Sequence, residues 1–148
     1  MDDTRFWSLI ALIDLTALHE GDEDGALAKL DDAVADLPRA ELEGFEEVLA
    51  AKLYALDGRI YAVAAGDSGT SDDGFLYARC FVVACGKSHY ERVLADPTQM
   101  PTSLDDWCEG LLYVASTAFE GQSDEDWSFS ATLDYETGSN HRLWQKPS

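Results

Sequence analysis

The chain has 148 residues, of which 29 are acidic and 10 are basic, so its formal net charge at pH 7 is −19. This length corresponds to one ordinary domain, residues 1–148, with enough apolar side chains for a core. The charge excludes a broad basic face, and with it direct nucleic-acid binding, because such binding needs clustered Lys and Arg. The charge is uneven: residues 1–50 carry 14 acidic and 3 basic side chains, whereas residues 51–100 carry 6 and 5.

The chain shows no targeting or membrane-spanning pattern. Residues 1–5 lack the basic and apolar regions of a secretory signal, so we expect a cytoplasmic protein. No apolar run approaches the roughly 18 residues of a membrane span, and an anionic bilayer repels an acidic surface, so we expect no membrane association. The three cysteines, Cys80, Cys85 and Cys108, are too few for a disulfide framework, and we expect them to be reduced.

The first half of the chain predicts three helices. Apolar residues recur at helical spacing over residues 6–18, over 27–37 and over 42–56. Pro38 suits the first turn of the third helix, because a proline lacks the N–H that would be unpaired there. Four glutamates lie near the N-terminus of this helix, where the macrodipole favours them: Glu41, Glu43, Glu46 and Glu47.

The middle of the chain predicts a buried helix. Residues 59–65 favour a short helix, although a strand is also compatible with them. A turn-rich segment, 66–74, precedes an apolar run over 75–85 that contains one charge, Arg79. A helix that is apolar on most faces belongs in the middle of a domain, and Gly86 is suited to end it.

The end of the chain predicts a strand. Apolar and polar side chains alternate from Trp127 to Tyr135, which is the period of a β-strand. Residues 137–140 allow a turn, after which residues 142–144 would return as a partner strand. The predicted fold class is therefore mainly α, a single-domain helical bundle with room for a small C-terminal β-hairpin.

One motif supports a family resemblance. Ser71-Asp72-Asp73-Gly74-Phe75, followed by Arg79 and Gly86, resembles the pattern of the bacterial proteins grouped as domain-of-unknown-function family 4240. The opening Phe6-Trp7 is similar to the start of that family, and Arg142-Leu143-Trp144 with Lys146 is similar to its ending. The resemblance implies a helical protein, and it implies no reaction.

The same motif contains the candidate site residues Ser71, Asp72, Asp73 and Arg79. In the structural interpretation, Ser71 or an aspartate caps the next helix, and Arg79 forms a buried ion pair with a carboxylate. In the functional interpretation, these residues form a ligand-binding or catalytic site, where Arg79 holds an anionic group and Asp72 or Asp73 acts as a base. The sequence leaves both interpretations open.

A weak calcium-loop candidate lies between the first two predicted helices. Glu20, Asp22, Asp24 and Asp31 occupy positions one, three, five and twelve of a calcium loop, with Gly25 at position six. The first position should be Asp, and the last should be a bidentate Glu. In a chain so rich in carboxylates, we interpret this spacing as accidental and predict no metal and no cofactor.

Two functions are compatible with these features. The first is an acidic binding or regulatory protein that engages a basic protein or peptide, because a large negative charge attracts such a partner over a long range. We expect that partner on the acidic helices of residues 1–50. The alternative is a small enzyme or biosynthetic-pathway accessory with an anion-binding site at Asp72, Asp73 and Arg79. A homodimer is compatible with either function, and we expect the protein not to be an enzyme.

Overall fold

The structure, a computed structural model, describes residues 1–145 and is mainly helical there, as predicted. The helices are α1 (Asp3–Ile10), α2 (Leu15–His19), α3 (Glu23–Val34), α4 (Arg39–Ala55), α5 (Arg59–Ala64), α6 (Asp72–Ala84), α7 (Lys87–Ala95), α8 (Val114–Gln122) and α9 (His141–Trp144). Three 3₁₀ segments join some of them: Gly66–Thr70, Pro97–Gln99 and Glu109–Tyr113.

The first predicted helix is divided into α1 and α2. Residues 11–14 separate the two, because Asp14 begins a new helix: its Oδ1 accepts a hydrogen bond from the backbone N–H of Ala17 at 3.1 Å. Asp2 caps α1 in the same way and accepts from the backbone N–H of Arg5 at 2.8 Å. An internal cap thus ends a stretch whose apolar spacing alone predicted one continuous helix.

Helix α6 lies in the middle of the core, as its sequence predicted. Ten of its thirteen residues are buried. It packs against α4, α7 and the 3₁₀ segments 66–70 and 109–113. Gly86 follows α6 with a φ of 102°, a left-handed conformation that a glycine adopts without steric cost. The core around α6 is one continuous apolar cluster with members from α1 to α8.

The predicted C-terminal β-hairpin is wrong, because residues 1–145 contain no β-strand. The first and last of the alternating apolar side chains, Trp127 and Tyr135, pack against the helical core, whereas Leu133 is exposed. Residues 142–144, predicted as the partner strand, belong to α9.

Carboxylates take the place of a partner strand in this segment. The backbone N–H of Trp127 donates to Glu120 at 3.2 Å, and the backbone N–H of Thr132 donates to Glu47. These two side chains therefore supply hydrogen-bond partners to the segment without a sheet. No helix within residues 1–145 is both long and apolar enough to cross a membrane.

Candidate functional site

Ser71 and Gly74 form the start of α6. The Ser71 Oγ accepts a hydrogen bond from the backbone N–H of Gly74 at 3.0 Å, which is a helix cap. A Cβ atom at Gly74 would lie 2.7 Å from that Oγ and 2.9 Å from the carbonyl oxygen of Ser68, so a side chain does not fit. Asp72 and Asp73 are exposed in the first turn, where the helix dipole favours carboxylates.

Arg79 is 0% exposed and lies in the core beneath this cap. Its Nη1 donates to the carbonyl of Leu53 at 2.9 Å. Its Nη2 donates to the carbonyl of Tyr135 at 3.0 Å and to the hydroxyl of Thr137 at 3.1 Å. The guanidinium also lies over the Phe75 ring, 4.7 Å from the centroid. Arg79 therefore joins α4, α6 and the C-terminal segment through carbonyl oxygens.

The expectation that Arg79 forms a buried ion pair with a carboxylate is wrong. Within residues 1–145, no carboxylate lies within 4.0 Å of the Arg79 guanidinium. Asp72 is linked to Arg79 through Thr137: the backbone carbonyl of Asp72 accepts a hydrogen bond from the Thr137 hydroxyl at 2.7 Å. Burial lowers the pKa of Arg79, and the charge of Asp57 opposes this effect.

Asp57 is a buried anchor that the sequence did not reveal. It is 0% exposed, and both of its carboxylate oxygens are engaged. Its Oδ1 accepts from the backbone N–H of Gly138 at 3.0 Å and from the indole N–H of Trp144 at 2.7 Å. Its Oδ2 accepts from the backbone N–H of Asn140 at 3.0 Å. The one sequence feature that could have indicated this role is a single aspartate between apolar residues and a glycine.

The calcium-loop candidate does not form a loop. Asp24 and Asp31 lie within α3, and Asp22 caps this helix by accepting from the backbone N–H of Gly25 at 3.0 Å. Glu20 ends α2. A calcium loop would wrap its ligands around the ion, whereas a helix directs these side chains apart. In the part of the chain that the structure describes, no three His, Cys, Asp or Glu side chains are grouped as a metal would require.

The cysteines are free, and two of them are fully buried. Burial raises the pKa of the Cys80 thiol well above its usual value. Burial likewise raises the pKa of Cys108 to about 12 and that of Cys85 to about 11. Thiols protonated at neutral pH are poor nucleophiles, so none of the three is suited to nucleophilic catalysis.

An acidic hollow of about 600 Å³ lies between α3 and α8. Asp31, Asp32 and Asp36 line its α3 side, and residues along the whole length of α8, from Val114 to Gln122, line the other. All three aspartates lie at the C-terminal end of α3, where the macrodipole disfavours anions. Partial burial raises the pKa of Asp31, and the charge of Asp32 raises it further.

No cation neutralises the acidic hollow within residues 1–145. The ion pairs there join Arg5 to Glu41, Arg39 to Glu43 and Glu125, Lys52 to Asp3, and Lys87 to Glu91. None of them includes a carboxylate of α3. Gln122 reaches across from α8 and donates to the carbonyls of Ala35 and Leu37, so α8 meets the C-terminal end of α3 directly.

A second cavity, of about 270 Å³, lies between α4 and residues 129–136, and Glu46 lines it. Glu46 is only 7% exposed. Burial raises the pKa of Glu46 to about 7, the Tyr135 hydroxyl lowers it in part, and the charge of Glu47 adds to the rise. From the sequence, Glu46 was one of four glutamates that the helix dipole favours. No feature of the sequence indicated that residues 129–136 would cover it.

The comparisons with known proteins identify a family. The family model described as Protein of unknown function (DUF4240) matches residues 1–121. A search of curated proteins and a search of solved structures each found no match. The family match contains the Ser71–Gly86 motif and ends before Arg142–Trp144, so the resemblance of the C-terminus stays a prediction, and Lys146 lies outside the described residues. Because the match covers most of the chain, the protein belongs to the DUF4240 family.

Proposed function

We propose that this protein is an acidic binding or regulatory protein that engages a basic protein or peptide at the acidic hollow. The observation that carries the proposal is the placement of Asp31, Asp32 and Asp36 at the C-terminal end of α3, in a hollow whose other side is α8, with no cation paired to them in the described part of the chain. Helix C-termini carry partial negative charge, so each aspartate adds to an already negative potential. A cationic partner would relieve this repulsion.

A basic segment fits the acidic hollow better than a metal ion does. The hollow is open and wide, at about 600 Å³, and its carboxylates are not grouped as ligands of one ion. Lysine and arginine side chains can each meet a separate carboxylate and need no common centre. The net charge of −19 would also raise the association rate of such a partner through long-range attraction.

The alternative function, an anion-binding enzyme or pathway accessory at Asp72, Asp73 and Arg79, has less support. The Nη1 and Nη2 atoms of Arg79 already donate to oxygens of the protein. Its Nε has no hydrogen-bond partner but is buried, so an anion from solvent does not reach it without opening the core.

Matched charge variants test the proposal. A short fluorescein-labelled polylysine peptide is titrated with the wild type, with Asp31→Asn/Asp32→Asn/Asp36→Asn, and with the control Asp67→Asn/Asp124→Asn/Asp126→Asn, read by fluorescence anisotropy at low salt. All six positions are exposed, and both variants lose three negative charges. We expect the acidic-hollow variant to bind at least about tenfold more weakly and the control to bind within about twofold of the wild type.

Equal weakening of both variants would contradict the proposal. That result would mean that the peptide responds to overall charge and has no preferred place on the protein. Circular dichroism of the three proteins checks that the substitutions leave the helical fold intact.

A further inference from the structure

The Glu46 cavity is a site distinct from the acidic hollow. It lies between α4 and the segment 129–136, and its volume is about 270 Å³. Drug-sized pockets occupy roughly 300–1,000 Å³, so this cavity is matched to one long side chain or a small molecule. The segment 129–136 lies beyond residues 1–121, which the family model matches.

Glu46 is a buried carboxyl group without a counter-ion. It is 7% exposed, and no basic residue lines the cavity. Within residues 1–145, no ion pair includes Glu46. The Tyr135 hydroxyl interacts with the Glu46 carboxyl group and favours its ionised form, but it is a neutral partner and supplies no counter-charge. A carboxylate that is desolvated without a cation is costly, and the protein keeps one here.

The rest of the lining selects the charge of a ligand. Asp134 and Glu136, both exposed, line the cavity together with Glu46, so its lining contains three acidic residues and no basic one. An anion would meet repulsion from all three, and a neutral ligand would leave the carboxylate of Glu46 without a counter-charge. A cation would be attracted by each of them.

Apolar surface completes the site. Phe129 and Leu133 line the same cavity as the carboxyl groups. An aromatic ring attracts a cation held over its face, and an apolar wall covers methylene groups. A ligand with a cationic group on a short hydrocarbon chain could contact both the acidic and the apolar residues of the lining.

We propose that the Glu46 cavity binds an alkylammonium group, with the Glu46 carboxylate as its counter-ion and with Phe129 and Leu133 against its methylene groups. The group comes either from a free amine or from a lysine side chain of a bound peptide. The proposal goes beyond the function proposed above, because it uses none of the residues of the acidic hollow.

Isothermal titration calorimetry at pH 7 tests this site with three probes. They are n-butylammonium, n-butanol as its uncharged analogue, and lysine blocked at both backbone ends. The proteins are the wild type, Glu46→Gln, and Glu91→Gln as a control on an exposed residue of α7. Glu46→Gln keeps the shape of the side chain and removes its charge, so the variant retains the cavity.

We expect saturable heat from n-butylammonium, at least about tenfold weaker binding of n-butanol, and a loss of at least about tenfold in Glu46→Gln only. Binding should also release protons, because a cation favours the ionised form of a carboxyl group whose pKa is about 7. The release is detected as a binding heat that changes with the ionisation enthalpy of the buffer. The two amine probes separate the sources: binding of n-butylammonium alone indicates a free amine, and binding of both probes indicates that the cavity also accepts a lysine side chain of a peptide.

Three results would overturn the proposal: equal binding of n-butylammonium and n-butanol, unchanged affinity in Glu46→Gln, or no saturable heat from either amine up to about 10 mM.

Discussion

Glu46 couples folding to pH, because burial raises its pKa to about 7 in the folded chain, above its usual 4.5. The folded state therefore holds this proton more tightly than the unfolded state, and the ionised side chain destabilises the fold. This destabilisation is absent below pH 4.5, grows as the pH rises towards 7, and is complete above 7. The charge of Glu47 on α4 opposes the ionisation of Glu46, and the cavity that Glu46 shares with Asp134 and Glu136 has no basic residue in its lining.

Glu46→Gln should accordingly stabilise the protein at high pH. A shift of one pKa unit corresponds to about 1.4 kcal/mol, so for a rise from 4.5 to about 7 the free energy of unfolding at pH 8 should increase by up to about 3.5 kcal/mol. At pH 4.5 the variant and the wild type should be equally stable, because both side chains are then largely neutral. Urea denaturation at the two pH values measures this, with Glu91→Gln as the control. A Glu46→Gln effect of equal size at both pH values would contradict the raised pKa.

Arg79 supports the fold through its side-chain donors, so its replacement should destabilise the protein even when the charge is kept. Arg79→Ala leaves the carbonyls of Leu53 and Tyr135 buried without their donor and should cost at least about 3 kcal/mol. Arg79→Lys keeps the charge and loses the fork that reaches both carbonyls, so it should cost about 1–3 kcal/mol.

The matched control for Arg79 is Asp73→Asn, because Asp73 is exposed and Arg79 is not paired with it. We expect its unfolding curve in urea to overlay that of the wild type. If Arg79→Lys also overlays the wild type, the Arg79 contacts are not structural, and the anion-binding interpretation of this motif gains support.

Alanine should have opposite effects on stability at two helical glycines, Gly74 at the start of α6 and Gly121 in α8, because their surroundings differ. Alanine normally stabilises a helix relative to glycine by up to about 1 kcal/mol. At Gly121 in α8 nothing lies within 4 Å of an added Cβ, so Gly121→Ala should stabilise the protein or leave it unchanged. At Gly74 the added Cβ meets Ser71 and Ser68 below 3.0 Å, so Gly74→Ala should destabilise it by about 1–3 kcal/mol.

Thermal denaturation of the two alanine variants measures this difference. A higher melting temperature for Gly74→Ala than for the wild type would show that the cap of α6 is loose enough to move, contrary to the packing described above.

The helices could be predicted from the sequence where their signals are local. The apolar run of α6, its Ser71 cap and the terminal Gly86 lie within sixteen residues of chain, and all three are confirmed. The C-terminal segment could not be predicted in this way. Its alternating side chains have strand spacing, but its amides are satisfied by carboxylates of distant helices, such as Glu47, 85 residues from its partner Thr132.

The site residues also differ in whether their hydrogen-bond partners are close in the sequence or distant. The cap by Ser71 is local and was predicted. The partners of Arg79 are not local, because Leu53 is 26 residues away and Tyr135 is 56 residues away. A buried charge was correctly expected to need partners, but the sequence offered nearby carboxylates and not distant carbonyls. Asp57 was missed for the same reason: its donors lie more than 80 residues along the chain.

Because the whole molecule is strongly negative, we expect the binding of a basic partner to depend on salt concentration. Residues 1–50 hold 14 of the 29 acidic side chains, and the acidic hollow lies at the end of α3 within them. Attraction between exposed charges is screened over about 10 Å at 0.1 M salt and about 3 Å at 1 M. A basic partner held mainly by charge should therefore associate tightly at low salt and dissociate as salt is added.

Backbone amide NMR during a titration with a polylysine peptide at low salt would show whether a basic partner binds at the acidic hollow. We expect the largest chemical-shift changes on the residues that line the hollow, and we expect added salt to reverse them. These residues are Asp31, Asp32, Asp36, Thr117, Ala118, Gly121 and Gln122. Changes spread evenly over all acidic segments, or centred on Asp72 and Asp73, would contradict binding at the hollow.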